Sequence, residues 1–169
     1  SWPLHATQGD AAPGQLLDPV NAFRLSVHRV ASRALEVQFD IADGYYLYRD
    51  RFKLMVNGYE TRRSDLHWPK GLQMKDPNFG KVVTYRKAVR LRATSLLPGN
   101  LGKEARTDLE VISQGCADVG VCFPPMRQHV VVNPGEAYAV PVSALPESAR
   151  EGAISSVRTN ELVRKATPR

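Results

Sequence analysis

Apolar and polar side chains alternate with a period of two through much of the chain, and this pattern restricts the fold more than any other. In residues 35–41 every second residue is apolar, namely Leu35, Val37, Phe39 and Ile41. Successive side chains of a β-strand point to opposite faces of its sheet. The segment therefore predicts a strand with one buried face.

Related patterns predict further strands at residues 23–27, 45–48, 52–56, 82–93, 107–113 and 126–132. Residues typical of turns separate them, among them Asp43-Gly44 and Asn57-Gly58. No long helical pattern interrupts residues 20–133. About seven short strands with frequent turns predict an all-β fold, an antiparallel β-sandwich.

The composition divides the chain of 169 residues into three parts. Residues 1–17 have no periodicity and predict a flexible N-terminal segment. Residues 18–134 predict a single domain, which is long enough for one core. Beyond them the apolar content falls, and residues 135–169 predict a linker or tail, with a short helix beginning near Pro146. No apolar run approaches 18 residues, so no membrane span is predicted within the chain.

The net charge of +6 raises nucleic acid as a candidate partner. The basic residues are scattered, however, as in residues 85–92, where alternation places them on one face of a strand. A solvated strand face explains this distribution, and no nucleic-acid-binding motif accompanies it. Nucleic acid is therefore not an expected partner.

The only two cysteines, Cys116 and Cys122, are six positions apart. A bridge that closes a loop of seven residues stabilises the folded state by about 2.4 kcal/mol in the chain-entropy model, less than a longer loop would. Gly120 between them permits a tight reversal of the chain. The short span favours a redox-active disulfide, while a static structural bridge remains the alternative.

A metal site is the third interpretation of the cysteine pair. It would need His67, His129 or carboxylates to complete the ligand shell, and the cysteine spacing is not a zinc signature. The four histidines, which include His5 and His28, do not cluster in the sequence. No metal is therefore expected.

Three segments carry a resemblance to a known family. The run Gln-Gly-Cys-Ala-Asp-Val-Gly-Val-Cys-Phe-Pro-Pro at residues 114–125 resembles the active-site segment of the N-terminal periplasmic domain of DsbD, a thiol:disulfide interchange protein. Residues 43–49 are similar to the aromatic strand of that domain, and residues 79–86 resemble its cap-loop region. The matches are in the same order and span roughly residues 20–133.

The resemblance implies an immunoglobulin-like sandwich, expected to be a monomer, with the cysteine pair at one end. It implies a protein-disulfide reductase without a cofactor, located in the periplasm. Electrons would come from a thioredoxin-like domain of the same full-length protein, which other domains anchor in the inner membrane. They would pass to periplasmic thioredoxin-fold acceptors, namely a disulfide isomerase and the cytochrome c maturation thioredoxin.

By the same resemblance, Cys122 attacks the disulfide of the partner and Cys116 resolves the mixed disulfide. The residues expected to line the site are Tyr46, Tyr48, Asp76 and Phe123. For the tyrosines the alternative is an ordinary place in the core. A carboxylate at Asp76 would disfavour the thiolate, and the alternative is a solvent-exposed loop aspartate without such a role.

The family's cap loop, which shields the cysteines, corresponds to Asn78, Phe79 and Gly80. This chain departs from the family pattern here, because Pro77 and Asn78 stand where an acidic residue and a phenylalanine are usual. Two expectations follow. Either Phe79, one position late, covers the disulfide, or the cap is less closed.

Overall fold

The computed structural model describes residues 15–31, 33–95 and 106–150. The strands within these residues are β1 Phe23–Ala31, β2 Ala34–Ile41, β3 Tyr45–Tyr48, β4 Lys53–Val56, β5 Tyr59–Glu60, β6 Leu66–His67, β7 Leu72–Asp76, β8 Gly80–Tyr85, β9 Ala88–Ala93, β10 Thr107–Ser113, β11 Gly115–Ala117, β12 Met126–Val132 and β13 Tyr138–Ala139. A short helix, α1, spans Pro19–Ala22, and 3-10 helices span Arg49–Arg51, Arg63–Asp65 and Val142–Ala144.

The strands form three antiparallel sheets. The first has the order β13-β1-β2-β9-β6, the second β12-β10-β4-β5 and the third β11-β3-β8-β7. The fold is thus the predicted all-β, immunoglobulin-like antiparallel sandwich, and the third sheet carries the cysteine pair at one end.

The main apolar core joins the three sheets. The first sheet contributes the alternating side chains of β2, which are buried at Leu35, Val37 and Phe39. Leu54 and Val111 of the second sheet belong to the same cluster. The period-two pattern therefore assigned the inward face correctly, because burial of apolar surface selects the register of each strand.

The predicted single strand over residues 82–93 is wrong. The chain forms β8 in the third sheet and β9 in the first, with a break at Arg86 and Lys87. Lys87 has a φ of 64°, a left-handed conformation that ends one strand and redirects the chain. Only Lys87 interrupts the alternation, and lysine is not a residue typical of turns, so the pattern hides the corner.

The described structure extends beyond both limits of the predicted domain, residues 18 and 134. The amide of Leu17 donates a 2.7 Å hydrogen bond to the hydroxyl of Tyr45. Tyr138–Ala139 pairs with β1, beyond residue 134. Residues 147–150, directly after Pro146, are helical. Residues 1–14 of the predicted N-terminal segment and residues 151–169 of the predicted tail lie outside the described residues.

Among the described residues, no helix has the length and apolar character needed to cross a membrane.

Candidate redox site

The third sheet separates the main core from a second, smaller cluster. On β3, Tyr45 and Leu47 belong to the main core, whereas Tyr46 and Tyr48 face the other way. Tyr46, Tyr48 and Cys116 form the second cluster, against which Met74, Phe79 and Val82 pack. The predicted pair of tyrosines on one strand face therefore lies beside a cysteine, and both are buried.

Cys116 and Cys122 form a disulfide across the loop that follows β11. Gly115, in β11, lies so close to β3 that an added Cβ would be 2.4 Å from the carbonyl oxygen of Tyr46. Gly120 has a φ of 100°, as its predicted role in a reversal requires. The amide of Ala117 donates a 2.7 Å hydrogen bond to the carbonyl of Val121 and closes the loop.

The two cysteines differ in access to solvent. Cys116 is 0% exposed, whereas Cys122 is exposed. The hydroxyl oxygen of Tyr48 lies 3.0 Å from Sγ of Cys116 and 3.9 Å from Sγ of Cys122. One sulfur is thus held against the tyrosine, and the residue that carries the other faces outward.

Asp76, the last residue of β7, accepts most of the hydrogen bonds at this site. Its side chain is buried, so it is not a solvent-exposed loop aspartate. Oδ2 accepts hydrogen bonds from the hydroxyls of Tyr48 and, at 3.4 Å, Tyr46. Oδ1 accepts from the amides of Asn78 at 2.7 Å and Phe79 at 3.0 Å. One carboxylate thereby orients both the tyrosine pair and the start of the cap loop.

The protonation states follow from these contacts. Burial alone raises the pKa of Asp76, but the hydrogen bonds from Tyr48, the two cap-loop amides and Tyr46 outweigh it and hold the pKa below its usual value of 3.8. Burial, reinforced by the hydrogen bond to Asp76, raises the pKa of Tyr48. Burial also raises the pKa of Tyr46. At neutral pH the site therefore holds an ionised carboxylate and two neutral phenols.

The cap loop contacts the site through two residues. Nδ2 of Asn78 lies 3.6 Å from Sγ of Cys122. The ring of Phe79 packs edge-on against Tyr48, with centroids 5.2 Å apart. The guanidinium carbon of Arg51 lies over the ring of Phe79, 3.9 Å from its centroid. Asn78, rather than a phenylalanine, is thus the cap residue with a hydrogen bond to the outer sulfur, while Phe79 lies over Tyr48.

An ion pair fixes the cysteine loop to the corner between β8 and β9. Arg86 binds Asp118 through two hydrogen bonds of 2.7 and 2.9 Å, and its guanidinium carbon lies 5.1 Å from the ring of Tyr46. The hydrogen bonds from Arg86 lower the pKa of Asp118. In the sequence, Arg86 looked like one of several basic residues on a solvated strand face. Only the chain reversal at Lys87 brings it to this loop.

Phe123 lies on the opposite side of the third sheet from the tyrosine pair. Its ring stacks on Tyr45 at 6.2 Å and meets Phe23 edge-on at 6.1 Å, so it belongs to the main core. The resemblance implied a site-lining role for Phe123, but the structure places its ring against the main core. Within residues 15–31, 33–95 and 106–150, no three His, Cys, Asp or Glu side chains form a group that could hold a metal ion.

The contacts of the cap loop predict that it slows the reduction of the disulfide by small reagents. We expect Phe79→Ala to raise the rate of disulfide reduction by dithiothreitol severalfold. The ring contact that this substitution removes stabilises the closed loop of the parent protein by roughly 1–2 kcal/mol, at about 25 cal/mol per Å² of buried apolar surface. Asn78→Ala should also raise the rate, because it removes the amide next to Cys122. Stopped-flow fluorescence would follow both reactions.

Tyr138→Ala serves as the control, because it removes an exposed aromatic ring from the first sheet. Its reduction rate should match that of the parent protein. Unchanged rates in both cap variants would show that neither Asn78 nor Phe79 shields the disulfide.

Comparison with known proteins identifies related sequences and structures. A family model described as "Thiol:disulfide interchange protein DsbD, N-terminal" matches residues 14–134. The DsbD protein of Ralstonia nicotianae is 38% identical over 141 residues, which are 82% of this chain and 22% of that protein. DsbD 1 of Pseudomonas aeruginosa is 34% identical over 137 residues, which are 81% of this chain and 22% of that protein. The chain thus spans about a fifth of the length of these relatives.

Two solved structures share the fold. The reduced N-terminal domain of Neisseria meningitidis DsbD superposes with a TM-score of 0.63 and 27% identity, covering 78% of this chain and 99% of that one. A complex between the DsbD N-terminal and PilB N-terminal domains of the same organism gives a TM-score of 0.57, also at 27% identity, covering 75% of this chain and 93% of that one.

Proposed function

The chain belongs to the family of DsbD N-terminal domains, and we propose that it is a protein-disulfide reductase that exchanges its Cys116–Cys122 disulfide with thioredoxin-fold proteins. One observation carries the proposal. The disulfide joins a fully buried cysteine, held against Tyr48, to an exposed one. A nucleophile must reach one sulfur in line with the bond that breaks, and this arrangement offers the partner Cys122 alone.

The surface around Cys122 suits a protein partner. Val119 is 78% exposed and Val121 is 40% exposed, and Pro124 and Pro125 are exposed beyond the second cysteine. Large exposed apolar side chains grouped together often mark sites of protein contact. The relative from Neisseria meningitidis, which forms a complex with the PilB N-terminal domain, supports a protein as the partner of this chain.

The reduction of an acceptor then proceeds in two displacements. The thiolate of Cys122 attacks one sulfur of the acceptor disulfide, and the other acceptor sulfur leaves as a thiolate. The thiolate of Cys116 next attacks Sγ of Cys122, which breaks the mixed disulfide and releases the second acceptor sulfur. Two electrons and two protons pass to the acceptor, and the domain disulfide re-forms.

Tyr48 and Asp76 position and protect the buried sulfur in this scheme. The Tyr48 hydroxyl donates a hydrogen bond to Asp76, so its oxygen presents a lone pair toward Cys116. In the dithiol form, the thiol of Cys116 can donate to that lone pair. The negative charge of Asp76 at the far end disfavours a thiolate on Cys116 at rest. The resolving thiol of Cys116 would therefore stay protonated while the reduced domain is at rest.

The partners and location are part of the same proposal. The domain takes electrons from a thioredoxin-like domain of its own full-length protein, which is anchored in the inner membrane, and works in the periplasm. Its acceptors are a disulfide isomerase and the cytochrome c maturation thioredoxin. Family membership supports these assignments, and the exposed cysteine within an apolar surface is compatible with several thioredoxin-fold partners.

The test is electron transfer from a thioredoxin-fold protein. We expect oxidised domain mixed with a reduced thioredoxin-like protein to gain two thiols, at Cys116 and Cys122, when the mixture is alkylated and analysed by mass spectrometry. An immunoglobulin-like interaction module with a purely structural disulfide is the competing function. It would keep the bond intact under the same conditions, because structural disulfides resist reduction.

A further inference from the structure

A pocket of about 330 Å³ lies beside Tyr48 and Phe79 of the redox site. Two of its walls, Tyr48 and Phe79, also belong to the redox site, since Tyr48 contacts both sulfurs. The remaining lining is largely charged: Asp50, Arg51, Arg63 and Lys81, with Val82 as the other apolar residue. No sequence motif marks any of these charged residues.

The pocket carries an excess of positive charge. Its one carboxylate, Asp50, already pairs with Arg49 at 3.1 Å. Arg63 donates a hydrogen bond to the backbone carbonyl of Asp50, which leaves its charge uncompensated. Across the described parts of the chain, none of the ion pairs involves Arg51, Arg63 or Lys81. Three cations therefore face one cavity without a carboxylate of their own.

We propose that this pocket receives a carboxylate side chain of the protein partner during disulfide exchange. The inference rests on the exchange activity proposed above, because only a partner docked at Cys122 brings its surface over Tyr48 and Phe79. An arginine side chain binds a carboxylate through two parallel hydrogen bonds, which gives orientation as well as attraction. The domain would thus favour partners with an acidic residue beside their reactive cysteine.

The same contact reaches the cap loop. Arg51 now lies over the ring of Phe79, and that ring packs against Tyr48. A carboxylate that enters the pocket competes with the ring for the guanidinium of Arg51. The arriving partner therefore removes one contact that holds Phe79 in place, and recognition of charge is coupled to opening of the cap.

The experiment uses two peptides that differ only in the residue next to their single cysteine, which is glutamate in one and glutamine in the other. Each peptide carries 2-thiopyridine, which has no carboxylate, as a mixed disulfide. Attack by the reduced domain on the peptide sulfur breaks that bond and releases pyridine-2-thione, which is followed by its ultraviolet absorbance. We expect the glutamate peptide to react roughly three- to tenfold faster at low salt. The ratio should approach one in about 1 M NaCl, where the Debye length is about 3 Å.

The variant Arg51→Gln combined with Lys81→Gln removes two of the three cations and should strongly reduce the preference for glutamate. The matched control is Arg92→Gln together with Lys53→Gln, which removes the same charge from exposed positions in other sheets. The control should keep the preference, because the overall charge of the domain does not create it. Loss of Arg51 should also loosen the cap and speed both peptides alike, so the ratio of the two rates is the readout.

The outcomes separate this inference from the function on which it rests. If neither peptide reacts with the reduced parent domain, the exchange activity itself is wrong. If both react at equal rates, exchange stands and the carboxylate pocket is wrong. A preference that persists undiminished in the Arg51 and Lys81 variant, or that disappears in the control variant, likewise overturns the pocket assignment.

Discussion

Cys122→Ser is expected to abolish formation of mixed disulfides with a partner, whereas Cys116→Ser should trap them. In the structure Cys116 is fully buried against Tyr48, and Cys122 is exposed in the surface that a partner can reach. Without Cys122, no accessible thiol remains to attack. Without Cys116, the attacking thiol is intact, but the thiol that would release the partner is absent.

A suitable probe is a thioredoxin-like protein with one active-site cysteine, activated as a mixed disulfide with nitrothiobenzoate. The reduced parent domain should form an adduct only transiently, because Cys116 resolves it. The reduced Cys116→Ser domain should accumulate the adduct almost completely, and the Cys122→Ser domain should form none. Electrophoresis without reductant, followed by mass spectrometry of the adduct, measures all three results.

An adduct through Cys116 in the Cys122→Ser domain would reverse the two roles. It would also mean that the buried sulfur becomes accessible on reduction, in contrast to the oxidised structure. The absence of any adduct with both variants and with the parent would contradict the proposed exchange activity. Far-UV circular dichroism of each variant shows whether the sandwich remains folded.

The sheet architecture was predictable where one face of a strand is buried and the other is exposed to solvent. The alternation in β2 and β10 reports this directly, so the amino-acid sequence alone is enough to recognise an all-β sandwich. The short strands β5, β6, β11 and β13 carry too few residues for a period to show. The corner at Lys87 was missed because its left-handed backbone is imposed by the surrounding sheets and not by the residue itself.

The candidate site was predictable only in part, for a similar reason. The cysteines, the tyrosine pair and Asp76 lie in segments that resemble a family, and the structure brings them together. The contacts of Arg51 with Phe79 and of Arg86 with Asp118 join residues that are 28 and 32 positions apart. No local pattern marks such pairs, because an arginine between two strands looks the same in the sequence whether its side chain contacts water, a carboxylate or an aromatic ring.

Asp76→Asn is expected to lower the free energy of unfolding by about 2–3 kcal/mol at neutral pH. The buried carboxylate accepts two tyrosine hydroxyls on one oxygen and two backbone amides on the other. An asparagine has one acceptor oxygen, so either the tyrosines or the amides lose their acceptor. Hydrogen bonds to a charged group contribute about 1.5–3 kcal/mol each, and a buried polar group without a partner adds a further cost. Urea denaturation followed by circular dichroism measures the loss.

Asp118→Asn is the matched control. Asp118 is also a carboxylate with a lowered pKa, but its side chain is 47% exposed and its partner Arg86 is 37% exposed. Ion pairs with this exposure contribute about 0–1 kcal/mol, so the control should lose no more than that. Equal losses in the two variants would contradict the view that burial makes Asp76 the more important carboxylate.

The difference in unfolding free energy between the parent domain and Asp76→Asn should change with pH, which a packing effect alone would not produce. The pKa of Asp76 in the folded state lies below its usual value of 3.8, because hydrogen bonds to the ionised form outweigh the effect of burial. A lowered pKa means that ionised Asp76 stabilises the folded state above about pH 4, and that this stabilisation is lost as the pH falls from there through the folded-state pKa. Asparagine does not titrate, so the difference in unfolding free energy should shrink as the solution is acidified below about pH 4. A difference that stays constant down to the acid limit of folding would show that the substitution acts through shape and not through the charge that orients Tyr48 beside Cys116.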